Sequence, residues 1–359
     1  MKKVLFVASV KIHIMSFHLP YLKWFKEQGY EVHVAANSQD DSGIPSCDIF
    51  HNINFDRFPF KKNNIKAYND LKEIIQENDF NIIHCHTPVA SVLTRLAART
   101  ARNTTVIYTA HGFHFYDGAP LLNWLIYYPV ERFCAKFTDK LITINTEDYE
   151  RAKKWSLRNN GKVYYVPGVG VDFSKFNSSD IDVAKKKQEL GIKEGAKVIL
   201  SVGELNENKN HEVVIRALAE IKEKNFVYLI AGKGHLKDYL EKLIDDKGLQ
   251  GNVKLLGYRT DINELLKITD LFVFPSKREG LGLALVEAMA SGVNCIASDN
   301  RGSRDLLKTE SLFNLHNVKV VSKMINERLN SCREVEYENL HKYSLENVMY
   351  SMLVIYEES

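Results

Sequence analysis

The sequence has few cysteines and no long apolar run. Its five cysteines are scattered without any CxxC spacing, which argues against a disulfide framework or a zinc site and is typical of reduced intracellular thiols. They are Cys47, Cys85, Cys134, Cys295 and Cys332. No apolar stretch approaches the roughly 20 residues that cross a bilayer, and the basic N-terminus lacks a small-residue cleavage site. We therefore expect a cytoplasmic protein without a signal peptide or a membrane-spanning segment.

The chain also has little net charge. Its 48 basic and 45 acidic residues leave a formal charge of +3, which is too small to point to nucleic acid. The charge is uneven, because residues 1–163 hold 21 Lys and Arg against 16 Asp and Glu. This basic excess favours an anionic surface or an anionic substrate for the first half. The 45% hydrophobic and 26% charged content is that of an ordinary globular protein, which excludes disorder.

Short β-branched runs alternate with helical periodicities, and the alternation starts twice. In the first half the pattern predicts strands at 3–9, 31–36, 81–85 and 105–109 and helices at 19–28, 65–77 and 89–102. In the second half it predicts strands at 198–202, 227–231, 253–256, 271–274 and 294–297 and helices at 211–224, 236–247 and 284–291. Such alternation indicates βαβ units with parallel sheets that are covered on both faces. Two α/β domains fit the length, joined at the Pro/Gly stretch 165–170.

The loop after the strand at 271–274 carries the most informative motif, Glu-Gly-Leu-Gly. Gly280 and Gly282 let backbone amides approach a ligand closely, and the helix that follows directs its N-terminus at the same space, which suits an anion. Glu279 lies on the loop and Glu287 about one turn into the helix. Two carboxylates around such amides suit a ligand with a central phosphate and hydroxyls at both ends. In the alternative, Glu279 is a solvated acid on the loop and Glu287 interacts with the helix dipole. Residue types alone do not decide between the two interpretations.

These two acids, with seven residues between them, resemble the signature of retaining family 4 glycosyltransferases with the GT-B fold. The resemblance implies an α/β architecture of two Rossmann-like domains that face each other across a cleft. It also implies that Glu279 contacts hydroxyls of the transferred sugar and that Glu287 binds the nucleotide ribose. The donor-binding segment would further include Gly280, Leu281, Gly282 and Leu283.

The resemblance covers nearly the whole chain and divides it into three parts. Residues 1–164 correspond to the acceptor-side domain of the family, and residues 165–342 correspond to the domain that binds the nucleotide sugar. Residues 343–359 match the helix that, in this fold, crosses back to the first domain.

The loop after the strand at 198–202 opens the next helix and carries a lysine. Lys209 lies beside the start of that helix, where a cation and the helix dipole can jointly neutralise a pyrophosphate. In the family this loop reads Gly-Arg-Leu, followed four residues later by Lys, so the resemblance makes Lys209 a diphosphate ligand and places Gly203 and Asn210 at the donor. Glu204 stands where the family usually has Arg. Because a carboxylate cannot bind phosphate, one cation is missing there.

Two arginines, Arg301 and Arg304, follow the strand at 294–297 at the same predicted sheet edge. We hypothesise that one of them replaces part of the missing charge on the diphosphate. The alternative is that they pair with Asp299 and Asp305, since such networks are common.

Two further loops end strands in the second half. Residues 231–235 contain a short Gly-x-Gly, which is weak evidence alone, and residues 256–261 contain Tyr258 and Arg259. They resemble the donor loop of the family and the loop beside the base, so Tyr258 or Arg259 would stack on the base. Simple surface exposure explains the same residues.

Twelve histidines are present, several of them near predicted strand ends. His84 and His86 lie on one face of a strand because side chains alternate. No carboxylate or third ligand is near them in sequence, so we predict no metal site. The strand is expected to enter the cleft, which makes His86 a candidate for acceptor contact.

The histidines after the strand at 105–109 resemble a motif of the family's first domain. His111 takes the position that faces the donor sugar, which makes it a candidate catalytic residue together with Glu279 and Lys209. His114 is a second candidate for acceptor contact, with capping of its own loop as the alternative.

Residues 10–20 are predicted to form a loop after the first strand, in the place of the family's glycine-rich acceptor loop. They contain no glycine, which disfavours a close backbone contact with a diphosphate. Lys11 and His13 are candidates for charged or hydrogen-bonding contacts to the acceptor instead. His18, beside the next helix, suits packing equally well.

Residues 121–137 are rich in aromatic and aliphatic side chains, with Arg132 and Lys136 between them. Such a stretch can lie in a bilayer interface, where apolar burial and anionic headgroups both stabilise it. Residues 58–62 add a second basic and aromatic patch. An ordinary buried helix is the alternative for 121–137. The basic first half favours peripheral contact with the inner leaflet of the membrane, as in family members that extend polyprenyl-linked sugars.

The resemblance implies a function in bacterial surface polysaccharide synthesis. A hexose or an N-acetylhexosamine would move, with retention, from a UDP-sugar to a hydroxyl of a saccharide linked to undecaprenyl diphosphate, and Lys209, loop amides and the helix dipole would stabilise the leaving group. No cofactor and no metal are expected, since the only Asp-x-Asp, at 180–182, lies away from strand ends. The alternatives are a GT-B epimerase that releases free sugar and a non-enzymatic nucleotide-binding module. A Gly-x-Gly-x-x-Gly after the first strand would favour the module, and residues 10–20 have none.

Overall fold

The computed structural model describes residues 1–40, 42–56, 58, 61–177, 181–331 and 337–359. The chain divides into two compact units. Unit 1 comprises Met1–Val169 and Val348–Ser359, and unit 2 comprises Gly170–Asn347. These divisions lie five residues beyond the predicted boundaries at 164 and 342.

Unit 1 is an alternation of strands and helices. Its strands are β1 (Lys3–Val10), β2 (Glu31–Asn37), β3 (Ile49–Asn52), β4 (Ile82–His86), β5 (Thr105–Ala110), β6 (Lys140–Thr143) and β7 (Lys162–Tyr165). Its helices are α1 (Lys11–Phe17), α2 (Leu19–Glu27), α3 (Asn63–Asn78), α4 (Pro88–Ala97), α5 (Leu121–Ala135) and α6 (Thr146–Ala152). Short 3-10 helices cover Ala98–Thr100 and Arg158–Asn160. The seven elements predicted for the first half are confirmed, with ends shifted by a few residues.

The sheet of unit 1 is parallel, in the order β3-β2-β1-β4-β5-β6-β7. Strand order reverses between β1 and β4, so the segments that follow these two strands diverge and leave a crevice at their carboxyl ends. The prediction of a loop over 10–20 is wrong, because α1 begins directly after β1 and only His18 separates it from α2. Pro20 in the first turn of α2 is compatible with the helix, since its missing N–H would have no partner there.

Unit 2 repeats the alternation. Its strands are β8 (Lys197–Val202), β9 (Phe226–Ala231), β10 (Val253–Gly257), β11 (Leu271–Phe274), β12 (Asn294–Ser298) and β13 (Leu312–Phe313). Its helices are α7 (Ser174–Asn177), α8 (Val183–Glu189), α9 (His211–Ala219), α10 (Lys237–Asp246), α11 (Ile262–Lys267), α12 (Leu283–Ala290), α13 (Arg301–Arg304) and α14 (Val318–Leu329). Short 3-10 helices cover Thr309–Ser311 and Leu340–Tyr343. The eight elements predicted for this half are confirmed, although α9 ends five residues early.

The sheet of unit 2 is also parallel, in the order β10-β9-β8-β11-β12-β13. Its strands are mainly apolar because helices cover both faces; β9, for example, is buried at all six positions. Strand order reverses between β8 and β11, which opens a crevice at their carboxyl ends.

The last helix, α15 (Leu345–Glu357), returns the chain to unit 1. Val348, Met352, Ile355 and Tyr356 recur at helical spacing and are buried in the unit 1 core. The Tyr356 ring packs against Phe25, with 4.8 Å between ring centres. Among the described residues, no helix combines the length and the apolar character needed to span a membrane.

Candidate active site

In unit 2 the loops that follow β8, β9 and β11 meet at the carboxyl edge of the sheet. The Lys277 amide donates to the Asn208 carbonyl at 2.7 Å, and Asn208 Nδ2 donates to the Arg278 carbonyl at 3.0 Å. A Cβ on Gly232 would lie only 1.9 Å from the Gly203 carbonyl oxygen, so the loop after β9 also packs directly on the loop after β8. The three loops therefore form one surface at the point where strand order reverses.

The structure brings the predicted diphosphate ligand and the predicted sugar ligand together on this surface. Lys209 Nζ lies 2.6 Å from Glu279 Oε1, with the two side chains 25% and 14% exposed. The ammonium also lies 5.2 Å from the centre of the Phe274 ring. Asn206 Oδ1 accepts a hydrogen bond from the Lys209 amide at 2.9 Å, and Asn210, with φ +51°, turns the chain into α9. The lysine is thus held by its backbone, by an aromatic face and by a carboxylate.

The Glu-Gly-Leu-Gly loop depends on a glycine at its end. A Cβ on Gly282 would lie 2.6 Å from the Phe274 ring, so a side chain there would displace either the ring or the loop. Gly282 is also the residue before α12, where no side chain caps the helix. The first amides of α12 therefore face the loop, as predicted for an anion site. Leu281 is buried and Leu283 half-buried, and both fix the course of the loop.

Glu287 lies in the second turn of α12. Burial raises the pKa of its carboxyl group to about 7, because a charged carboxylate is disfavoured where water is excluded. Among the residues that the structure describes, no side chain or amide pairs with this carboxylate. Its hydrogen-bonding capacity is therefore available to a ligand, and the contact of Glu287 with ribose hydroxyls stays a prediction.

The two arginines after β12 have different roles. Arg304 Nε lies 2.6 Å from Asp299 Oδ1, and both side chains are about half exposed, which is the pairing named as the alternative. Arg301 is buried, and its Nε donates to the Glu279 carbonyl at 3.2 Å. Asn300 Nδ2 donates to the Ser276 carbonyl at 3.0 Å. This segment therefore supports the backbone of the Glu279 loop, while a contact of either arginine with phosphate stays a prediction.

Two basic residues at the site were missed from the sequence. Lys277 and Arg278 directly precede Glu279, and both side chains are exposed. Glu204, at the position of the missing arginine, is exposed as well and accepts a hydrogen bond from Asn206 Nδ2 at 3.0 Å. Two adjacent basic residues before the motif were the available signal, but their proximity to the β8 loop depends on hydrogen bonds between segments about 70 residues apart.

The loop after β10 carries the two candidates for base contact. Tyr258 is 72% exposed, so its ring can stack on a ligand. Arg259 is held instead by Asp261, with Nε at 2.8 Å from Oδ1. Lys186 Nζ contacts the same carboxylate at 2.6 Å. Of the two candidates, Tyr258 is the one whose side chain is accessible.

In unit 1 the predicted histidines converge on the crevice between β1 and β4. His111 follows β5, and its Nε2 lies 3.4 Å from His86 Nδ1 at the end of β4. The ring of His13 on α1 lies 4.8 Å from the ring of His111. His18 stacks on His86, with ring centres 3.9 Å apart. Burial lowers the pKa of His13 to about 4 and that of His111 to about 3, so these imidazoles are neutral at pH 7.

The other two acceptor candidates of unit 1 already have partners. Lys11 is buried at the start of α1, and its ammonium contacts Asp40 Oδ1 at 2.5 Å and Ser42 Oγ at 2.8 Å. The ring of His114 stacks on Tyr127, with 4.7 Å between centres. Contact of Lys11 or His114 with an acceptor stays a prediction.

Helix α5 has an apolar face that unit 1 does not cover. Its exposed side chains include Leu121 at 80%, Leu122 at 64% and Leu125 at 74%. The opposite face is fixed at the other end of the helix, where the buried Glu131 carboxylate contacts Arg95 Nη2 at 2.8 Å and Tyr108 Oη at 3.1 Å. The alternative of an ordinary buried helix therefore fits only one side of α5, where Trp124, Tyr127 and Tyr128 also pack on the unit 1 core.

Two sequence predictions fall partly outside the described residues. In the patch at 58–62, residues 59 and 60 lie outside them, and Phe58 is exposed. Of the Asp-x-Asp at 180–182, residue 180 lies outside them, while Asp182 caps α8 by accepting a hydrogen bond from the Lys185 amide at 3.0 Å. Asp182 thus has a structural role.

Comparisons with known proteins agree with this site. Residues 3–145 match the family described as Glycosyl transferase 4-like, and residues 182–344 match Glycosyl transferases group 1. EpsD of Bacillus subtilis (strain 168), also named as a glycosyltransferase, is 44% identical over 312 residues, which are 86% of this chain and 81% of the relative. The chain belongs to the group 1 glycosyltransferases. The predicted family and enzyme class are thereby confirmed.

Another relative of this glycosyltransferase is the UDP-Gal:alpha-D-GlcNAc-diphosphoundecaprenol alpha-1,3-galactosyltransferase of Escherichia coli. It is 34% identical over 255 residues, 68% of this chain and 65% of the relative. The crystal structure of HepE from Anabaena in complex with UDP and glucose matches with a TM-score of 0.78 and 19% identity, covering 100% of both chains. At this identity the likeness shows the fold alone, and it confirms the predicted GT-B class.

Proposed function

We propose that this glycosyltransferase moves a hexose or an N-acetylhexosamine from a UDP-sugar to a hydroxyl of a polyprenyl-diphosphate-linked saccharide, with retention, during synthesis of a bacterial surface polysaccharide. The observation that carries the proposal is the contact of Lys209 with Glu279 at 2.6 Å. HepE binds UDP and glucose, and the E. coli relative is named for UDP-Gal and a diphosphoundecaprenol acceptor. These names support the two substrate classes proposed.

In this proposal the donor diphosphate displaces part of the Lys209–Glu279 contact. The ammonium turns to the phosphates, and the Glu279 carboxylate accepts hydrogen bonds from sugar hydroxyls. The amides at the start of α9 and α12 add donors for phosphate oxygens. Lys277 and Arg278, exposed beside Lys209, join Arg304 as candidates for the cation that is missing at Glu204. Arg301 is better suited to supporting the Glu279 backbone, because its guanidinium is buried.

The ribose and the base have their own contacts. The Glu287 carboxylate accepts hydrogen bonds from the ribose hydroxyls, and Tyr258 stacks on the uracil ring. Tyr258 is mostly exposed, and the Glu287 carboxylate, although largely buried, has no partner among the described residues.

The reaction then depends on the stabilisation of the leaving group. The bond between the sugar C1 and the β-phosphate oxygen breaks, and the acceptor oxygen attacks C1 on the same face. The acceptor proton passes to the departing phosphate oxygen. Negative charge grows on the diphosphate, where Lys209 and the helix amides stabilise it. Because these groups supply the positive charge, we propose that the donor site needs no divalent cation. His111 stays the proposed histidine of the catalytic set.

The acceptor side is proposed to contact the membrane surface through α5. Leu121, Leu122 and Leu125 present apolar area, while Arg132 and Lys136 are exposed for anionic headgroups. Interfacial helices combine apolar burial and basic charge in this way. A lipid-linked acceptor would lie within the same interface.

The test is a transfer assay on the full chain. UDP-Gal, UDP-Glc, UDP-GlcNAc and UDP-GalNAc are each incubated with a polyprenyl-diphosphate-linked N-acetylhexosamine, with and without EDTA. We expect UDP release that requires acceptor, proceeds in EDTA and yields an α-linked product by NMR coupling. No transfer from any UDP-sugar, or a β-linked product, would contradict the proposal. UDP release without acceptor would favour the epimerase alternative.

A further inference from the structure

Four histidines of unit 1 lie close enough to share one ion. His13 comes from α1, His18 from the junction of α1 and α2, His86 from the end of β4 and His111 from the segment after β5. One ring nitrogen of each lies within 4.8 Å of a ring nitrogen of every other. The fold therefore brings three separate segments of the chain together at one point, at the carboxyl edge of the sheet.

Four ring nitrogens of this cluster are buried without hydrogen-bond partners among the described residues. They are Nε2 of His13, both ring nitrogens of His18 and Nε2 of His86. His18 is 3% exposed and His86 is 0% exposed. Unpaired buried polar atoms are rare in folded proteins, and each requires an explanation such as a bound ion. Here such atoms occur on three neighbouring rings.

A neighbouring histidine shows that the fold is able to pair buried imidazoles. His84 lies two residues before His86 on β4, with 4.1 Å between the ring centres. Its Nδ1 lies 2.7 Å from the Tyr356 hydroxyl, and its Nε2 lies 2.8 Å from the Thr109 hydroxyl. Both nitrogens of His84 are thus satisfied. On this side of the unit 1 sheet the described histidines without partners are therefore those of the cluster; in unit 2, both ring nitrogens of His211 also lack a partner.

We propose that His13, His18, His86 and His111 bind one divalent transition-metal ion, with Zn²⁺ as the best match. Zn²⁺ takes imidazole nitrogens at about 2.0–2.1 Å in tetrahedral geometry, which puts ligand atoms roughly 3.3 Å apart. One nitrogen of each of the four rings lies within 4.8 Å of the others, so a modest inward shift of the rings would reach that spacing. Mg²⁺ and Ca²⁺ fit poorly, because they prefer oxygen ligands.

The state of the rings suits metal binding. His18 and His86 are buried, with their ring centres 3.9 Å apart, and imidazole binds metals in its neutral form. The sequence gives no third ligand near His84 and His86, which is why it predicts no metal site. Residues 13, 18 and 111 become neighbours only in the folded unit.

The four proposed ligands belong to unit 1 and the proposed diphosphate ligands belong to unit 2, and the proposal does not depend on the transfer reaction. A metal-bound imidazole keeps one nitrogen for a hydrogen bond, so ligation of His111 is compatible with a second contact. Because the four ligands are neutral, the ion keeps its positive charge and favours an anion beside it.

The test measures metal binding directly. The full chain is prepared without a polyhistidine tag, stripped with chelator, loaded with Zn²⁺ or Co²⁺ and desalted. We expect one equivalent per chain by mass spectrometry, visible Co²⁺ absorption of a four-coordinate site, and a higher melting temperature with Zn²⁺. X-ray absorption of the Zn²⁺ form should show four nitrogen neighbours.

Variants assign the ligands. His18→Gln and His86→Gln should each lower Zn²⁺ affinity at least tenfold, while His235→Gln, on an exposed histidine of unit 2, should bind Zn²⁺ as the parent does. Substoichiometric metal in the parent chain, a spectrum without histidine nitrogens, or His18→Gln and His86→Gln variants that bind normally would each overturn the proposal. The measurements on the parent chain decide the matter even if a variant fails to fold.

Discussion

Lys209 and Glu279 come from loops about 70 residues apart in the chain, yet their charged groups lie 2.6 Å from each other. Each group neutralises the other while the site holds no substrate. A nucleotide sugar offers both groups a replacement, since it brings negative charge for the lysine and hydroxyls for the carboxylate. The contact therefore marks the position where the phosphate and the sugar of the donor would adjoin.

Substitution of either residue should lower the transfer activity and leave the stability of the fold nearly unchanged. We expect Lys209→Ala and Glu279→Ala to lower kcat/KM by about 10²- to 10³-fold, the range found when one group that stabilises a transition-state charge is removed. The melting temperature should change little, because the contact is partly exposed. Lys237→Ala removes an exposed ion pair with Glu241 on α10 and is the matched control, with normal activity expected. Full activity of Lys209→Ala would contradict the proposed role.

Glu287 should make donor affinity depend on pH. Its pKa is raised to about 7, and we propose that the ionised form binds ribose. The KM for the donor should therefore rise as the pH falls from 8 to 6. Glu287→Gln should raise the KM at pH 8 more than it lowers kcat, and the pH dependence of KM should disappear in that variant.

Glu287 should also make stability depend on pH, but stability should fall as the pH rises, whereas donor affinity should increase. Because the folded-state pKa lies above the unfolded value, the contribution of Glu287 to stability is fully present below about pH 4.5 and is lost as the pH rises through 7. Glu287→Gln should thus be more stable than the parent at pH 8, by on the order of 2 kcal/mol, and equal to it at pH 4.5. Urea unfolding at the two pH values measures this, and an equal difference at both would be inconsistent with the raised pKa.

Gly282 should tolerate no side chain. A Cβ would lie 2.6 Å from the Phe274 ring, so Gly282→Ala must shift the loop or the ring and should cost about 1–3 kcal/mol of stability. Donor KM should rise as well, because the amides at the start of α12 move. Gly251→Ala, where nothing lies within 4 Å of the added carbon, is the control and should behave as the parent in thermal unfolding and in the transfer assay.

The two arginines after β12 should respond differently to truncation. Arg301→Ala removes a buried guanidinium that donates to the Glu279 carbonyl, so we expect lower stability and at least tenfold lower kcat/KM. Arg304→Ala removes an exposed pair with Asp299 and should change stability by less than about 1 kcal/mol. Isothermal titration with UDP separates the roles. If neither variant weakens UDP binding, the hypothesis that one of them contacts phosphate is wrong.

The apolar face of α5 should govern binding to lipid vesicles. We expect the double variant Leu121→Asp and Leu125→Asp to reduce cosedimentation with anionic vesicles at least tenfold, because each exposed leucine would otherwise bury apolar area. Its melting temperature should stay that of the parent. Val320→Asp, on an exposed apolar position of α14, is the control. Equal binding of the double variant and the parent would exclude α5 as the membrane contact.

Local patterns were sufficient for much of the fold and for part of the site. The strands and helices of both units were predictable because the periodicity of apolar residues can be recognised within a few consecutive residues. The Glu-Gly-Leu-Gly loop was predictable for the same reason, since its glycines and acids are adjacent. Helix α1 was missed because residues 11–17 form less than two full turns and follow β1 without a turn signal.

The remainder depends on contacts between distant segments. Lys277 and Arg278 join the site through hydrogen bonds to the loop after β8, and no spacing rule indicates that. The histidine cluster combines residues 13, 18, 86 and 111, so a search for ligands near His84 and His86 in the chain could not find it. The ion pair of Arg95 with Glu131 under α5 likewise depends on the packing of two helices.

That buried ion pair limits how α5 can respond to a surface. Separating the two partners would leave an uncompensated charge in the interior, which typically costs about 3–5 kcal/mol of stability. The C-terminal end of the helix is therefore fixed on unit 1. Leu121 and Leu122 lie about ten residues earlier, next to Asn123, whose Nδ2 donates to the His114 carbonyl at 2.9 Å, and Trp124, whose ring centre lies 4.9 Å from the Arg151 guanidinium. In the proposed membrane contact, α5 therefore keeps its position on unit 1, and only the exposed leucine side chains of its first turns enter the bilayer interface.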